Sequence, residues 1–170
     1  MGVPGSGKTT IGRLLAKRLD VPFFDSDQVI ERRIGSSIRE FFEREGEAAF
    51  RDLEQEVVGD LTQNGGCVLS TGGGVVLRQA NRNNLYQRCQ TVYLHSAPDE
   101  VFRRLRNDQN RPLLQVADPL AKLQELYSVR DPLYREVARF VVETGRPSVS
   151  TLADTILKQM ALAGVLPAHG

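Results

Sequence analysis

Gly2-Val3-Pro4-Gly5-Ser6-Gly7-Lys8-Thr9 decides how this chain is read. The spacing matches G-x-x-x-x-G-K-[ST], in which glycines let successive backbone N–H groups wrap a phosphate while the next helix adds its positive N-terminal end. A Gly-rich turn alone is the alternative. It does not require a helix to follow, and Thr9 to Leu19 reads as one. In such a loop Lys8 reaches the β- and γ-phosphates and the Thr9 hydroxyl ligates Mg²⁺. ATP is therefore expected, with Gly5, Ser6, Gly7, Lys8 and Thr9 around its phosphates.

Because the motif begins at residue 2, an apolar strand is expected immediately upstream of Met1, since a phosphate loop held at one end only is poorly preorganised. Downstream, short apolar runs alternate with longer amphipathic ones, which predicts an α/β domain with a parallel sheet. The strands are expected at Val21 to Phe24, Cys67 to Ser70, Thr91 to Leu94 and Phe140 to Glu143. Ser37 to Arg44 reads as a helix opened by a Ser37/Glu40 capping box. Glu47 to Gln63 puts Phe50, Leu53, Val57 and Leu61 on one stripe and leaves Arg51 and Glu54 one turn apart on an adjoining face. Further helices are expected over Asp99 to Asn107, from Pro119 (capped by Asp118) toward Val129, and over Ser150 to Ala163.

Composition narrows the class. A chain of 170 residues, 41% hydrophobic, suits one domain with its own core. Lys plus Arg is 22 against 21 Asp plus Glu, a net charge of +1, so no global field draws it onto nucleic acid or an anionic membrane. Only four of the 22 basic residues are Lys, which fits a site that grips phosphate or carboxylate with forked donors, although genomic base composition gives the same bias. Cys67 and Cys89 have no metal spacing, and no apolar run approaches the roughly 20 residues of a membrane span. A cytoplasmic protein, and a monomer, is expected.

Two further motifs sit at strand ends, where open α/β sheets bind ligands. Asp25-Ser26-Asp27 offers two acids that can divide labour, one toward the metal and one toward a substrate hydroxyl. A helix N-cap explains Asp27 equally well. Ser70-Thr71-Gly72-Gly73-Gly74 lets backbone approach a ligand with no side chain intervening, with a flexible turn as the alternative. This strand ends in Ser70 and Thr71 rather than an acid, so the metal carboxylate comes from elsewhere, and Asp25 is the nearest candidate.

The ordered set Gly2 to Thr9, Asp25 to Asp27, Phe50-Arg51-Asp52-Leu53-Glu54, Thr71 to Gly74, Arg111-Pro112-Leu113-Leu114 and Arg130 to Tyr134 resembles the shikimate kinase family over nearly the whole chain. The resemblance implies a three-layer α/β/α P-loop NTPase fold of the nucleoside monophosphate kinase type, one domain over residues 1–170, with a parallel sheet and a mobile lid around 107–118. It implies transfer of the ATP γ-phosphoryl group to a hydroxyl of shikimate, in aromatic amino acid biosynthesis, with Mg²⁺. Carried over residue by residue, it makes Asp27, Arg51, Gly72, Gly73, Gly74 and Arg130 the shikimate-binding set. Lys8, Asp27 and Arg111 become the catalytic residues, and Thr9 and Asp25 the metal ligands. Thr10, Arg104, Arg111 and Arg146 join the loop as nucleotide contacts. Each arginine has an alternative as a solvated surface charge. Another small-molecule kinase, such as a gluconate kinase, is the nearest enzymatic rival, and Arg51 with Glu54 and Arg130 before Pro132 argue against it. A non-catalytic sensor on the same fold is the rival of another class, and the intact Lys8, Asp25, Asp27 and Arg111 disfavour it.

Overall fold

Gly7 takes a left-handed conformation, φ 87°, and α1 (Lys8–Leu19) starts on the next residue with no side-chain cap. A β-carbon is disfavoured at that φ, so glycine is what lets the loop turn straight into the helix. The structure, a computed structural model, describes residues 1–106 and 116–166. After α1 come β1 (Phe23–Asp25), α2 (Ser26–Ile34), α3 (Ile38–Glu45), α4 (Glu47–Leu61), β2 (Val68–Ser70), a 3₁₀ turn at Val75–Leu77 and α5 (Gln79–Arg88). Then follow β3 (Val92–His95), α6 (Pro98–Leu105), α7 (Pro119–Val137), β4 (Phe140–Glu143) and α8 (Val149–Leu162).

All strand pairing is parallel. β1 lies against β2 with Phe23 opposite Val68 and Asp25 opposite Ser70. β3 lies against β4 with Val92 opposite Phe140 and His95 opposite Glu143. The four strands thus form two pairs rather than one sheet. Met1 extends the second pair: its amino group donates to Val92 O at 3.0 Å, and Leu94 N donates to its carbonyl at 2.9 Å.

The three layers follow from strand alternation. Tyr93 points into a cluster with Val58, Val76, Leu85, Val101 and Tyr134, while Val92 and Leu94 on either side of it point into another with Ile11, Leu15, Leu152 and Ile156. A third cluster, centred on Ile30, Phe50 and Val57, joins α2, α3 and α4. Each such fully buried aliphatic side chain contributes roughly 1.5–3 kcal/mol. Among the described residues no helix is long and apolar enough to cross a membrane.

Several expected elements hold with shifted ends. Ser37 caps α3 by accepting from Glu40 N at 3.1 Å, and Asp118 caps α7 by accepting from Ala121 N at 3.1 Å. The helix expected to stop near Val129 instead runs through Pro132 to Val137. Its last turns carry Tyr134 and Val137, both buried in the first cluster, and that packing outweighs the hydrogen bond Pro132 cannot make. α5 has no counterpart in the sequence reading, and α2 enters it only through the alternative of an N-cap at Asp27.

Candidate active site

Five segments converge at the ends of β1 and β2: the phosphate loop, the start of α2, the triple-glycine loop and one face each of α4 and α7. Lys8 Nζ lies over the loop, donating to Gly2 O at 2.8 Å and Val3 O at 3.2 Å. The Thr9 hydroxyl donates to Asp25 Oδ2 at 3.0 Å. Asp25 Oδ1 accepts from Asp27 N at 3.0 Å and Gln28 N at 3.3 Å. One carboxylate therefore caps α2 and reaches the phosphate loop. The cap belongs to Asp25, which leaves the Asp27 carboxyl to point into the site from the first turn of α2.

Burial raises the Asp27 carboxyl from 3.8 to about 6; Asp25 and Glu54 add to the rise and Lys8 opposes it. On α4, Arg51 Nη1 donates to Glu54 Oε1 at 2.9 Å, and its guanidinium lies over the Phe50 ring, 5.1 Å from the centroid. Glu54 is 1% exposed. Burial pushes its carboxyl upward and the Arg51 guanidinium draws it back. A buried carboxylate that accepts a guanidinium in this way fixes where the fork points.

The glycine loop fits against these side chains one residue at a time. A β-carbon on Gly72 would lie 2.8 Å from Asp27 Oδ1. On Gly73 it would lie 3.3 Å from Arg130 Nη1 and 3.0 Å from Pro4 of the phosphate loop, and on Gly74 it would strike the Arg51 guanidinium. Asp27, Arg130 and Arg51 therefore line one wall within van der Waals reach of backbone that only glycine permits. Gly72 N donates to the buried Ser26 Oγ at 3.2 Å, and the Tyr134 hydroxyl donates to Gly73 O. Burial pushes the Tyr134 phenol up to about 12, so it stays a donor.

Among the described residues, the buried side-chain atoms without a hydrogen-bond partner include Ser6 Oγ, Arg51 Nε, Glu54 Oε2 and Thr71 Oγ1. Two more, Asn81 Oδ1 and Arg82 Nε, lie on α5 away from these segments.

Arg104 on α6 ties the loop to the segment after β4, donating to Gly5 O at 3.4 Å and Thr144 O at 2.7 Å. Thr10 is exposed on the first turn of α1, and Arg146 is exposed on the bend before α8. Arg111, and residues 107–115 of the lid expected around 107–118, lie outside the described residues. Ser26 and Tyr134 are structural members of the site that the sequence reading left without a role. Both sit inside motifs it singled out, Asp25-Ser26-Asp27 and Arg130 to Tyr134.

A shikimate kinase family model matches residues 4–161. The chain is 57% identical to the shikimate kinase of Paracidovorax citrulli over 170 residues, covering 98% of this chain and 93% of that one. It is 54% identical to that of Burkholderia pseudomallei over 166 residues, covering 98% and 90%. Among solved structures it is similar to the shikimate kinase from Acinetobacter baumannii in complex with shikimate, with a TM-score of 0.90 and 46% identity over 97% of this chain and 92% of that one. A gluconokinase from Sinorhizobium meliloti, 18% identical with a TM-score of 0.62, shares the fold alone.

Proposed function

The chain belongs to the shikimate kinase family, and from that premise we propose that it transfers the γ-phosphoryl group of ATP to shikimate, giving 3-phosphoshikimate for aromatic amino acid biosynthesis. The observation that carries the reading is the contact of Asp27, Arg130 and Arg51 with three successive glycines beside the phosphate loop. Two guanidiniums suit a carboxylate, while an acid and exposed backbone N–H groups suit hydroxyls. The acceptor's carboxylate would rest between Arg51 and Arg130, with the hydroxyl to be phosphorylated beside Asp27. Gluconate is also a polyhydroxy acid, but the family match favours shikimate.

Asp27 orients that hydroxyl and accepts its proton as the O–P bond forms. Lys8 neutralises charge on the transferring group and its leaving oxygen; Arg111, on the family pattern, does the same. The Thr9 hydroxyl and an Asp25 carboxylate oxygen, 3.0 Å apart, are the hard oxygen donors that suit Mg²⁺. Among the described residues no group of three or more His, Cys, Asp or Glu side chains could hold a metal, so phosphate and water would complete its shell. Bound there, Mg²⁺ screens the phosphate charge. Arg104 braces the loop while Thr10 and Arg146 border the nucleotide. We further propose that the enzyme acts as a cytoplasmic monomer of one domain.

Arg51→Ala tests the placement. Removing one charge-assisted partner of the acceptor carboxylate costs about 2–5 kcal/mol, or roughly 30-fold to several thousand-fold in kcat/KM for shikimate, with the KM for ATP nearly unchanged. Arg51→Lys recovers only part, because a point charge cannot replace a fork. Unchanged dependence on shikimate in Arg51→Ala would refute the assignment.

A further inference from the structure

A second cluster of polar side chains, outside the site, joins the ends of β3 and β4 to α7. His95, the last residue of β3, stands opposite Glu143, the last of β4. Its Nδ1 lies 2.7 Å from Glu143 Oε2, and its Nε2 lies 2.8 Å from the Tyr127 hydroxyl. With the carboxylate accepting from Nδ1–H, the neutral ring is left to accept from Tyr127 at Nε2. Two residues back on β3, the Tyr93 hydroxyl donates to Asp131 Oδ1 at 2.7 Å. Arg135 Nε, one turn further along α7, donates to both oxygens of that carboxylate at 3.2 and 3.0 Å. Tyr93 is wholly buried. Burial, and then the hydrogen bond to Asp131, push its phenol well above the ordinary range, so it keeps its proton and stays the donor.

This cluster grips α7 where the helix's own backbone is weakest. Pro132 has no N–H, so the helical hydrogen bond from residue 132 to the carbonyl of Ser128 is missing. Arg130 sits inside that turn, its Nη1 lying 3.3 Å from where a β-carbon on Gly73 would stand. Tyr127 and Asp131, on either side of Arg130 in sequence, tie the turn to the end of β3. The Tyr93 ring also stacks on Tyr134, with 4.8 Å between centroids and 28° between planes, and Tyr134 donates to Gly73 O. We propose that Tyr93, His95 and Asp131 are positioning residues for Arg130: they supply the restraint that the missing backbone hydrogen bond does not, and so hold the guanidinium against the glycine loop where the acceptor carboxylate binds. The three act through α7 and not on the substrate. The acceptor carboxylate rests on the proposed function; the restraint on α7 does not. A cluster serving stability alone would lower Tm when broken without separating the two substrates.

Tyr93→Phe, His95→Leu and Asp131→Ala should each raise the KM for shikimate roughly 3- to 30-fold, with the KM for ATP within about twofold. Asp131→Asn, which can still accept from Tyr93, should recover part. In an Arg130→Ala background, Tyr93→Phe should change kcat/KM for shikimate by less than about twofold, because the residue it acts through is gone. Ile156→Val, in the other core cluster, lowers Tm by packing alone and should leave both KM values within about twofold. Without any ligand, Tyr93→Phe should speed hydrogen exchange at the amides of residues 129–134 by at least about tenfold. Equal rises for both substrates, additive losses in the double variant, or unchanged exchange over this turn would each overturn the proposal. A parent without shikimate-dependent turnover would refute the proposed activity instead, and the exchange comparison would still decide whether the cluster holds the turn.

Discussion

At Asp27 the burial that raises the carboxyl from 3.8 to about 6 leaves it held as a charge at neutral pH, against the preference of its surroundings. The folded state binds more protons here than the unfolded chain between about pH 4 and 6. The stability tied to this group is therefore fully present below about pH 4 and lost as pH rises through about 6. At neutral pH this lowers stability by roughly 2–3 kcal/mol. Asp27→Asn should accordingly melt a few degrees higher than the parent at pH 7.5, without nucleotide or metal, and lose most of that gain at pH 4.5, while turning over near background. Melting curves of both proteins at the two pH values check this, and a gain equal at both would contradict it. In the parent, kcat/KM for shikimate should climb as pH rises through about 6, because only the carboxylate can accept the hydroxyl proton. Lys8 sits on loop carbonyls rather than in the core. Lys8→Ala should lower kcat at least a hundredfold with Tm within a few degrees, and substantial residual turnover would contradict its phosphate role.

One scale up, α7 holds the acceptor wall together. It carries Arg130, and four residues later Tyr134 reaches across to the Gly73 carbonyl, so a hydrogen bond joins the helix to the glycine loop. Tyr134→Phe removes the donor to a part-buried carbonyl, at about 1–3 kcal/mol. The KM for shikimate should rise on the order of 5- to 50-fold with the KM for ATP within about twofold, read from paired titrations. Equal rises in both constants would reduce Tyr134 to a general packing role. This element also shows where a sequence stops being legible. Asp118 and Pro119 announce the start of α7, but Pro132 reads as a stop, and only tertiary packing of Tyr134 and Val137 carries the helix past it. α5 is missed for the opposite reason: Gln79–Arg88 is largely polar and buries only Asn81 and Leu85, so no stripe advertises it. α2 is hidden because Asp25 and Asp27 read as site residues before they read as a helix start.

Across the whole molecule, the parts read most directly from sequence are those where one residue type is chemically forced. Glycine is favoured at Gly7 by its φ, and at Gly72 and Gly74 a β-carbon would displace the Asp27 carboxyl or the Arg51 guanidinium. The Thr9 and Asp25 pairing joins two separately read motifs in one hydrogen bond. Partners set only by folding, such as Ser26 under Gly72 and Arg104 against Thr144, leave no sequence spacing to read. The nearly balanced charge places anion binding in these local features rather than in any field of the whole surface. The most direct measurement is ADP release by the folded chain with ATP and Mg²⁺, in the presence of shikimate, gluconate or no acceptor, with phosphorus NMR of the products. ADP release that depends on shikimate and matches a new phosphate ester, with gluconate at the level of no acceptor, is the predicted result. Equal release in all three, or preference for gluconate, would contradict it.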